Sequence, residues 1–456
     1  MAELYVGTAR ARLGPAAALI DAERGIVAAC EENRLTRAME TATAGPPDRA
    51  IDELLRFMNR QRGDISRTGA VGEDGDIDPH LAHAEYAFRA SGFDQSLVLV
   101  CEAHLPRGWS AWQFATATRT EVGGDVGAYP IAAAYGQLTQ ALGFQPMRDE
   151  HLVEAMARSG HPEAALTQQR LGEDFLALLA ALCTFTTSRK LCLSGGLFFN
   201  TFFTTLAAAS GLFDDTFVPP HPGRNGTAVG AALLLGATGD VSAPYLGPSY
   251  ADHEIKGTLE NCKLSFDLMH EAQLMDNVLH AVSRGRLVGW YHGRLEWGPR
   301  ALGHRSVLAD PFSPHVLENL NGFLKRRPAY RAYGVSVPAA RLDDFFARPD
   351  GLQTGATRVQ KSPFMQYEYR PRDPEKFRTI LPPGVKSVRV HTVDDSEPRF
   401  LRLLELWGEK CGTPVLVNTS FNGFHEPLVC SPRDAIRVFY GTGLDTLALE
   451  NFYLRK

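Results

Sequence analysis

Residues 293–306 (GRLEWGPRALGHRS) combine three arginines with three glycines, a pattern typical of sites that bind anions. The arginines are Arg294, Arg300 and Arg305. Arginine binds phosphate and carboxylate groups through a planar two-pronged fork, and glycine lets the backbone approach a ligand closely. Further basic residues follow along the chain, namely Lys325, Arg326, Arg327, Arg331 and Arg389. Surface arginines paired with acidic residues would give the same composition, but the interspersed glycines favour a phosphate site.

A polar triplet, Asn418-Thr419-Ser420, follows the apolar strand predicted at residues 415–417. Ligands of α/β proteins bind beyond the carboxyl ends of the strands, which makes Asn418 and Ser420 candidates for contact with an anion. The alternative is an ordinary capping turn, because residues of these types are also common where strands end.

Two glycine-containing turns precede predicted helices in the N-terminal half of the chain, at residues 194–196 and 223–226. A helix N-terminus reached through glycines can hold the phosphates of a nucleotide, although many ordinary strand–helix turns also contain glycine. The candidate nucleotide contacts at these turns are Gly195, Gly196, Asn200, Arg224 and Gly226.

His80 and His83 are three residues apart on a predicted helix, so their imidazoles share one helical face. That spacing suits a metal ion, and Glu102, which follows the strand predicted at residues 96–100, is a possible carboxylate partner. Two unconnected histidines, at the surface or at a helix end, are an equally good interpretation.

The overall composition excludes several classes of protein. The formal net charge of -5 provides no basic field for nucleic acid. The seven cysteines are scattered without CxxC spacing, which fits reduced thiols in the cytoplasm. The N-terminus lacks the apolar core of a signal peptide, and no apolar stretch is long enough to span a bilayer. We therefore expect a cytoplasmic protein that acts on a small molecule, without nucleic acid or membrane.

Alternating predicted strands and helices indicate the α/β fold class, and a length of 456 residues predicts more than one domain. Residues 236–250 are rich in glycine, proline and serine and form the expected boundary. We expect domains at residues 1–240 and 251–456, without an internal sequence repeat. Near the N-terminus, the sequence predicts a β-hairpin over residues 16–29 and a polar loop over residues 61–78.

Five segments of the chain resemble one known family, the O-carbamoyltransferases of antibiotic and nodulation-factor biosynthesis. They read GRLEWGPRALGHRSVLADP, NTSFNGFHEPLVCSPRDAIRVF, LCLSGGLFFN, PGRNGTAVGAAL and CEENRLTR. The similarity covers most of the chain and is densest from Gly285 to the end. The family includes the tobramycin and cephamycin carbamoyltransferases.

The resemblance implies an N-terminal Kae-like domain with an actin-like ATPase fold, followed by a YrdC/Sua-like α/β domain. In the family, the YrdC-like domain converts carbamoyl phosphate and ATP into carbamoyl adenylate. The Kae-like domain then transfers the carbamoyl group to an acceptor. For this chain we expect the acceptor to be a hydroxyl or an amine of a small natural-product intermediate.

The resemblance also implies roles for individual residues. The residues expected to be catalytic are Arg300, Lys325, Arg331, Ser420 and His83. The residues expected to contact ATP or carbamoyl phosphate are Gly195, Gly196, Asn200, Arg224, Gly226, Arg305, Arg389 and Asn418. Those of the YrdC-like domain would hold carbamoyl phosphate and the adenylate, and those of the Kae-like domain would line an adenosine cleft.

The Kae-like half departs from the family pattern at its chemical positions. Leu13 stands where the family has a histidine, Pro79 replaces the first metal ligand of an HHLAH motif, and Arg224 replaces an aspartate ligand. A divalent cation needs several hard or borderline donors, so we expect no resident metal apart from Mg²⁺ that arrives with ATP. Arg224 would instead act as a fixed cation beside a phosphate.

Three functions stay open on the sequence. The first is carbamoyl transfer, as the resemblance implies. The second is a homologue with altered ATP-dependent chemistry on another acid, or a cyclisation. The third is a non-catalytic partner of a true carbamoyltransferase, which the changes in the Kae-like half also fit. A homo-oligomer or a complex with a partner protein is compatible with each.

Overall fold

A computed structural model of the protein describes residues 3–10, 14–39, 45–72, 75–103, 107–116, 118–347 and 361–456. These residues form two compact units, which divide between Leu246 and Gly247. Unit 1 is the N-terminal part, and unit 2 is the C-terminal part together with Arg37–Met39. Leu13, which stands at the position of the family's histidine, lies outside the described residues.

The first sheet of unit 1 has four strands in the order β3-β2-β1-β4. Its strands are β1 (Leu4–Ala9), β2 (Ala16–Asp21), β3 (Ile26–Glu31) and β4 (Ile65–Val71). Strands β2 and β3 form the predicted hairpin, which is confirmed. The loop predicted at residues 61–78 is wrong, because β4 lies there and pairs parallel with β1. Residues 66–68 of β4 are exposed at the sheet edge, which explains their loop-like polar composition.

The second sheet of unit 1 has five strands in the order β7-β6-β5-β8-β9. Its strands are β5 (Gln95–Cys101), β6 (Trp109–Ala115), β7 (Thr118–Val122), β8 (Lys190–Ser194) and β9 (Asp215–Phe217). In both sheets, three antiparallel strands are followed by a parallel strand next to the first of them. This repeated arrangement agrees with an actin-like ATPase fold, although the two halves share no sequence repeat.

Helices flank both sheets of unit 1. They are α1 (Glu32–Thr36), α2 (Asp48–Met58), α3 (Pro79–Ser91), α4 (Ile131–Ala141), α5 (Glu150–Arg158), α6 (Pro162–Leu182), α7 (Thr201–Ala209) and α8 (Thr227–Leu234). Helix α6 contributes Phe175, Leu178 and Leu179 to a core that also contains Leu97 and Leu99 of β5. A strand buried along its whole length, as β5 is, reads as a continuous apolar run, and that run predicted it from the sequence.

Unit 2 is built on one mixed sheet with the order β10-β19-β18-β11-β12-β17-β13-β16-β15-β14. Its strands are β10 (Asp267–Leu268), β11 (Val288–Tyr291), β12 (Arg305–Ala309), β13 (Gly334–Pro338), β14 (Phe346–Ala347), β15 (Glu368–Pro371), β16 (Val388–Val393), β17 (Leu416–Ser420), β18 (Thr446–Leu449) and β19 (Phe452–Arg455). Its helices are α9 (Asp252–Asn261), α10 (Glu271–Ser283), α11 (Val316–Glu318), α12 (Leu342–Phe345), α13 (Pro398–Cys411) and α14 (Pro432–Gly441). The α/β class predicted from the sequence is confirmed.

The sheet order of unit 2 brings together segments that are far apart in the sequence. Strand β17 lies between β12 and β13 and is antiparallel to both. Strand β16 is parallel to β13 on its other side. These strands carry four of the residues predicted for an anion site, namely Arg305, Arg389, Asn418 and Ser420. Within the part of the chain that the structure describes, no helix is long and apolar enough to cross a membrane.

Candidate functional site

Lys325 lies at the centre of the candidate site in unit 2. It ends a π-helix, Asn319–Lys325, and such helices are frequent at functional positions. Its side chain is 1% exposed. The Nζ atom donates to the main-chain oxygen of Asn422 at 3.0 Å and to Ser420 Oγ at 3.4 Å. It also donates to the main-chain oxygen of Ser420 and to Asn422 Oδ1. The structure thus brings together Lys325 and Ser420, while Asn422 was not among the predicted site residues.

Arg327 and Arg331 lie near enough to the Lys325 ammonium for their charges to act on it, and Arg389 acts in turn on Arg327. Burial lowers the pKa of Lys325 well below its usual value, and the charges of Arg327 and Arg331 lower it further. Burial also lowers the pKa of Arg327, against the opposing effect of Tyr333, and the charge of Arg389 adds to the lowering. An anion bound among these four cations would relieve their mutual repulsion, so they form a candidate anion site, called here the four-cation site.

Asn418 lies beside this site on β17, where its register partners are Leu308 and Gly334. It is 2% exposed. Its Nδ2 atom donates to Ser336 Oγ at 2.9 Å. Its Oδ1 atom is buried and has no hydrogen-bond partner among the described residues. Asn418 and Ser420 are two residues apart on one strand, so their side chains point to the same face of the sheet.

Arg305 holds the shape of its own loop. Its guanidinium is fully buried and donates to the main-chain oxygens of His292 at 2.6 Å and Gly293 at 3.1 Å. It also lies 3.5 Å above the centre of the Tyr291 ring. Both terminal nitrogens therefore stabilise the loop, and the contact with carbamoyl phosphate stays a prediction.

Glu296 fixes the other side of the same loop. Its Oε1 atom accepts three main-chain hydrogen bonds, from Leu302 at 2.9 Å, His304 at 3.0 Å and Arg305 at 2.9 Å. Arg300 lies within the segment that these bonds close and is half-buried. Buried charges at residues 296 and 305 therefore hold the loop. The ligand contact of Arg300 stays a prediction.

A second charged cluster centres on the carboxylate of Glu450. Its Oε1 atom accepts from the main chain of Gly293 at 2.6 Å. Its Oε2 atom lies 2.8 Å from His292 Nδ1 and 3.0 Å from an Arg399 nitrogen. Burial raises the pKa of Glu450, but the hydrogen bond from His292, the charge of His292, the main-chain donor and Arg399 outweigh it. The resulting pKa is about 2.

Replacement of Glu450 by glutamine is expected to remove an acid-sensitive part of the stability of unit 2. The pKa falls from 4.5 to about 2 on folding, so the carboxylate stabilises the fold above pH 4.5 and loses this effect as the pH falls towards 2. Glu450→Gln should lower the free energy of unfolding by roughly 3 kcal/mol at pH 7 and by much less at pH 3. Urea unfolding at both pH values measures this, with the exposed Glu405→Gln as control. An equal loss at both pH values would refute the assignment.

In unit 1, the two glycine turns predicted to bind a nucleotide lie side by side. The main-chain nitrogen of Gly195 donates to the Pro222 oxygen at 2.7 Å, and Ser194 Oγ donates to the same oxygen at 3.2 Å. Gly195 has a φ of +109°, and a Cβ there would lie 2.1 Å from the main-chain oxygen of Cys101. This close approach requires glycine at position 195.

The main-chain amide of Gly196 in this turn bonds to a side chain of the protein itself. The main-chain nitrogen of Gly196 donates to Glu102 Oε1 at 2.7 Å. His83 Nε2 lies 3.3 Å from the same oxygen, and His83 Nδ1 lies 3.0 Å from Ser194 Oγ. Glu102 and His83 are therefore neighbours in the fold. His83 is 2% exposed and engaged at both ring nitrogens, and its catalytic role stays a prediction.

A metal of the family's kind does not fit this cleft. The donors that remain, His83 and Glu102, bond to each other and to neighbouring groups. His80 bonds elsewhere, with its Nδ1 3.2 Å from Ser110 Oγ, so the two histidines do not converge. Within the described ranges, no group of three or more histidine, cysteine, aspartate or glutamate residues could hold a metal ion.

The remaining predicted contacts of unit 1 are mostly structural. Asn200 caps α7 by accepting from the main chain of Phe202 at 3.0 Å, and its Nδ2 donates to Gln168 at 2.9 Å. Both ends of its amide are engaged, and its contact with adenosine stays a prediction. A Cβ at Gly226 would lie 2.1 Å from the main-chain oxygen of His221, so this glycine serves close packing. Arg224 is half-exposed in the short turn before α8.

The chain is similar to several known proteins. Nodulation protein NolO of Bradyrhizobium diazoefficiens is 32% identical over 281 residues, which are 59% of this chain and 50% of that protein. Nodulation protein NolNO of Sinorhizobium fredii is 27% identical over 445 residues, 83% of this chain and 64% of that protein. The 3'-hydroxymethylcephem-O-carbamoyltransferase of Amycolatopsis lactamdurans is 29% identical over 303 residues, 64% of this chain and 54% of that protein. The chain thus spans between half and two thirds of the length of these relatives.

Among solved structures, a ROK family glucokinase from Streptomyces griseus covers 51% of this chain and 99% of its own, with 13% identity and a TM-score of 0.32. Residues 165–233 match a family model described as the carbamoyltransferase N-terminus. Residues 279–456 match the model described as the carbamoyltransferase C-terminus. The two models together match more than half of the chain, which therefore belongs to the carbamoyltransferase family.

Proposed function

We propose that the protein is an ATP-dependent carbamoyltransferase whose four-cation site binds carbamoyl phosphate and ATP. The charges of Arg327 and Arg331 act on the buried Lys325, which contacts Ser420 and Asn422, and the charge of Arg389 acts on Arg327; this cluster of positive charge is the observation that carries the proposal. The product of the site is carbamoyl adenylate. The acceptor of the carbamoyl group is a hydroxyl or amine of a small natural-product intermediate, in keeping with the cephem substrate in the name of one relative.

Two steps lead from the substrates to carbamoyl adenylate, and a third transfers the carbamoyl group to the acceptor. Water cleaves the bond between phosphorus and the bridging oxygen of carbamoyl phosphate, which gives carbamate and inorganic phosphate. A carbamate oxygen then attacks the α-phosphorus of ATP, and pyrophosphate leaves. Finally the acceptor oxygen or nitrogen attacks the carbonyl carbon, loses its proton to solvent, and releases AMP.

The residues of unit 2 would act mainly through charge and position. Phosphoryl transfer needs fixed positive groups where negative charge is transferred, and Arg331 and Arg389 supply them without a covalent step. Lys325 holds the main chain at Ser420 and Asn422, so the loop beyond β17 is set before a ligand arrives. A bound phosphate would raise the pKa of Lys325 towards its usual value and keep the ammonium charged.

The closed cleft of unit 1 favours a second candidate function. Because Glu102 occupies the Gly196 amide and His83 is buried, unit 1 offers no exposed base at these positions. The chain would then form the activated carbamoyl group, or bind its substrates, and support a partner that completes the transfer. A further alternative is ATP-dependent chemistry on another acid. Pyrophosphate release distinguishes it from carbamoyl transfer and from support of a partner.

Pyrophosphate release from ATP, measured with and without carbamoyl phosphate, tests the proposal. Release that depends on carbamoyl phosphate supports it. Release only with another small acid, such as acetate or malonate, indicates altered chemistry, and no release with retained nucleotide binding indicates a non-catalytic partner. Arg300→Ala is expected to lower carbamoyl-phosphate-dependent release at least about 30-fold, because a charge-assisted contact contributes about 2 kcal/mol or more. Unchanged release in this variant would remove Arg300 from the site.

A further inference from the structure

A chain of three buried polar side chains crosses the sheet of unit 2 beside the four-cation site. Ser336 on β13 and His391 on β16 are register partners, and Ser336 Oγ lies 3.0 Å from His391 Nδ1. Asn418 Nδ2 donates to the same Ser336 oxygen at 2.9 Å. All three side chains are at most 2% exposed. The chain ends at Asn418 Oδ1, the buried acceptor without a partner among the described residues.

The hydrogen bond from Asn418 sets the direction of this chain, because Asn418 Nδ2 donates to the Ser336 oxygen. Burial lowers the pKa of His391 to about 3, with a further contribution from the charge of His304, so the imidazole is neutral at physiological pH. A neutral imidazole has one unprotonated ring nitrogen, and Nδ1 in that state accepts the hydrogen bond that the Ser336 hydroxyl donates. The Ser336 oxygen then has only lone pairs to offer, and it can be approached by the amide NH₂ of Asn418 but not by the amide oxygen.

We propose that Ser336 and His391 are positioning residues that turn Asn418 Oδ1 towards the substrate, where it accepts a hydrogen bond from the carbamoyl NH₂ group. This inference rests on the proposed function. Asn418 and Ser420 lie on the same face of β17, about 6.6 Å apart along the strand. A ligand whose phosphate lies among the four cations near Ser420 extends its other end along β17 towards Asn418.

The chemistry of the acceptor defines which acyl phosphates the site takes. A carbamoyl group presents N–H donors at the position where an acetyl group presents a methyl and a carboxyl group presents oxygen. A buried oxygen acceptor gains a hydrogen bond from the carbamoyl N–H group. It is left unpaired by the acetyl methyl group and repelled by the carboxyl oxygen. A freely turning amide would offer its NH₂ end as well and would lose this selectivity, which is why the chain behind Asn418 matters.

Binding of carbamoyl phosphate and of acetyl phosphate, measured by calorimetry on the full chain, tests the inference. We expect the unaltered protein to prefer carbamoyl phosphate about 10-fold or more, since an unpaired buried acceptor is costly. In Ser336→Ala and in His391→Phe the preference should fall below about 3-fold, while the Kd of inorganic phosphate stays the same. His391→Asn, which keeps an acceptor near the position of Nδ1, should retain the preference.

Thr446→Val is the matched control, because it removes a buried hydroxyl from β18, three strands from β17 in the sheet. It should keep the preference of the unaltered protein. An undiminished preference in Ser336→Ala or His391→Phe overturns the inference and leaves the proposed function standing. If Ser336→Ala does not fold, His391→Phe decides alone. An unaltered protein that binds neither acyl phosphate nor inorganic phosphate overturns the proposed function itself.

Discussion

Arg331→Ala is expected to raise the Kd of carbamoyl phosphate by about 30- to 150-fold, which corresponds to the loss of about 2–3 kcal/mol for one charge-assisted contact. Arg331 is half-buried beside Lys325, and its charge is among those that lower the pKa of Lys325. Removing it takes one cation from the four-cation site and leaves the other three in place. Isothermal titration calorimetry with carbamoyl phosphate provides the measurement.

The matched control is Arg378→Ala, because the side chain of Arg378 is 74% exposed and pairs with the nearby Glu375. This variant has the same change of net charge and should bind as the unaltered protein does. A change of less than about threefold in Arg331→Ala would show that the anion does not lie among these cations. An equal loss of affinity in both variants would mean that net charge, and not the site, attracts the ligand.

Arg305→Met is expected to act on stability, in contrast to Arg331→Ala. The fully buried guanidinium bonds to the main-chain oxygens of His292 and Gly293 and packs on Tyr291. Methionine leaves those oxygens buried without a charged donor, so the free energy of unfolding should fall by about 3–5 kcal/mol. Urea unfolding followed by tryptophan fluorescence measures it.

Arg402→Met serves as the control for this second change, since the Arg402 side chain is 50% exposed and pairs with Glu405 and Glu409. Its effect should stay within about 0.5 kcal/mol. The prediction fails if Arg305→Met is as stable as Arg402→Met. It also fails if Arg305→Met loses affinity for carbamoyl phosphate while its stability is unchanged, because Arg305 would then be a ligand contact after all.

Arg331 and Arg305 illustrate what the sequence predicts about the site and what it does not. The residue types of the site were predictable, because arginine, lysine and polar strand ends suit an anion. The direction of each side chain was not, because it depends on which buried acceptors the fold brings near. Arg305 follows Gly303 and His304 at the start of a buried strand, and its own loop supplies the acceptors. The Glu102–Gly196 contact joins positions 94 residues apart and has no local signal.

In the fold, too, some elements are predictable from local sequence and others depend on contacts that local sequence does not show. Strand β5 is predictable because residues 97–101 form a buried apolar run, whereas β4 reads as a loop because it lies at a sheet edge with polar residues outward. The two sheets of unit 1 share an order without sharing a sequence, since topology depends on the pattern of burial and not on particular residues. Asn422 and Ser336 carry no local signal either, because each gains its role from a residue far away in the sequence, Lys325 for Asn422 and Asn418 for Ser336.

The carboxylate of Glu102 on the Gly196 amide has a thermodynamic consequence for unit 1. A ligand that is part of the chain is present at an effective concentration set by geometry, and dilution does not reduce it. A nucleotide phosphate could occupy that amide only by outcompeting this internal ligand and by separating Glu102 from His83. Any anion that binds this amide must therefore displace the carboxylate, so its apparent affinity is lower than at a turn without such an internal ligand.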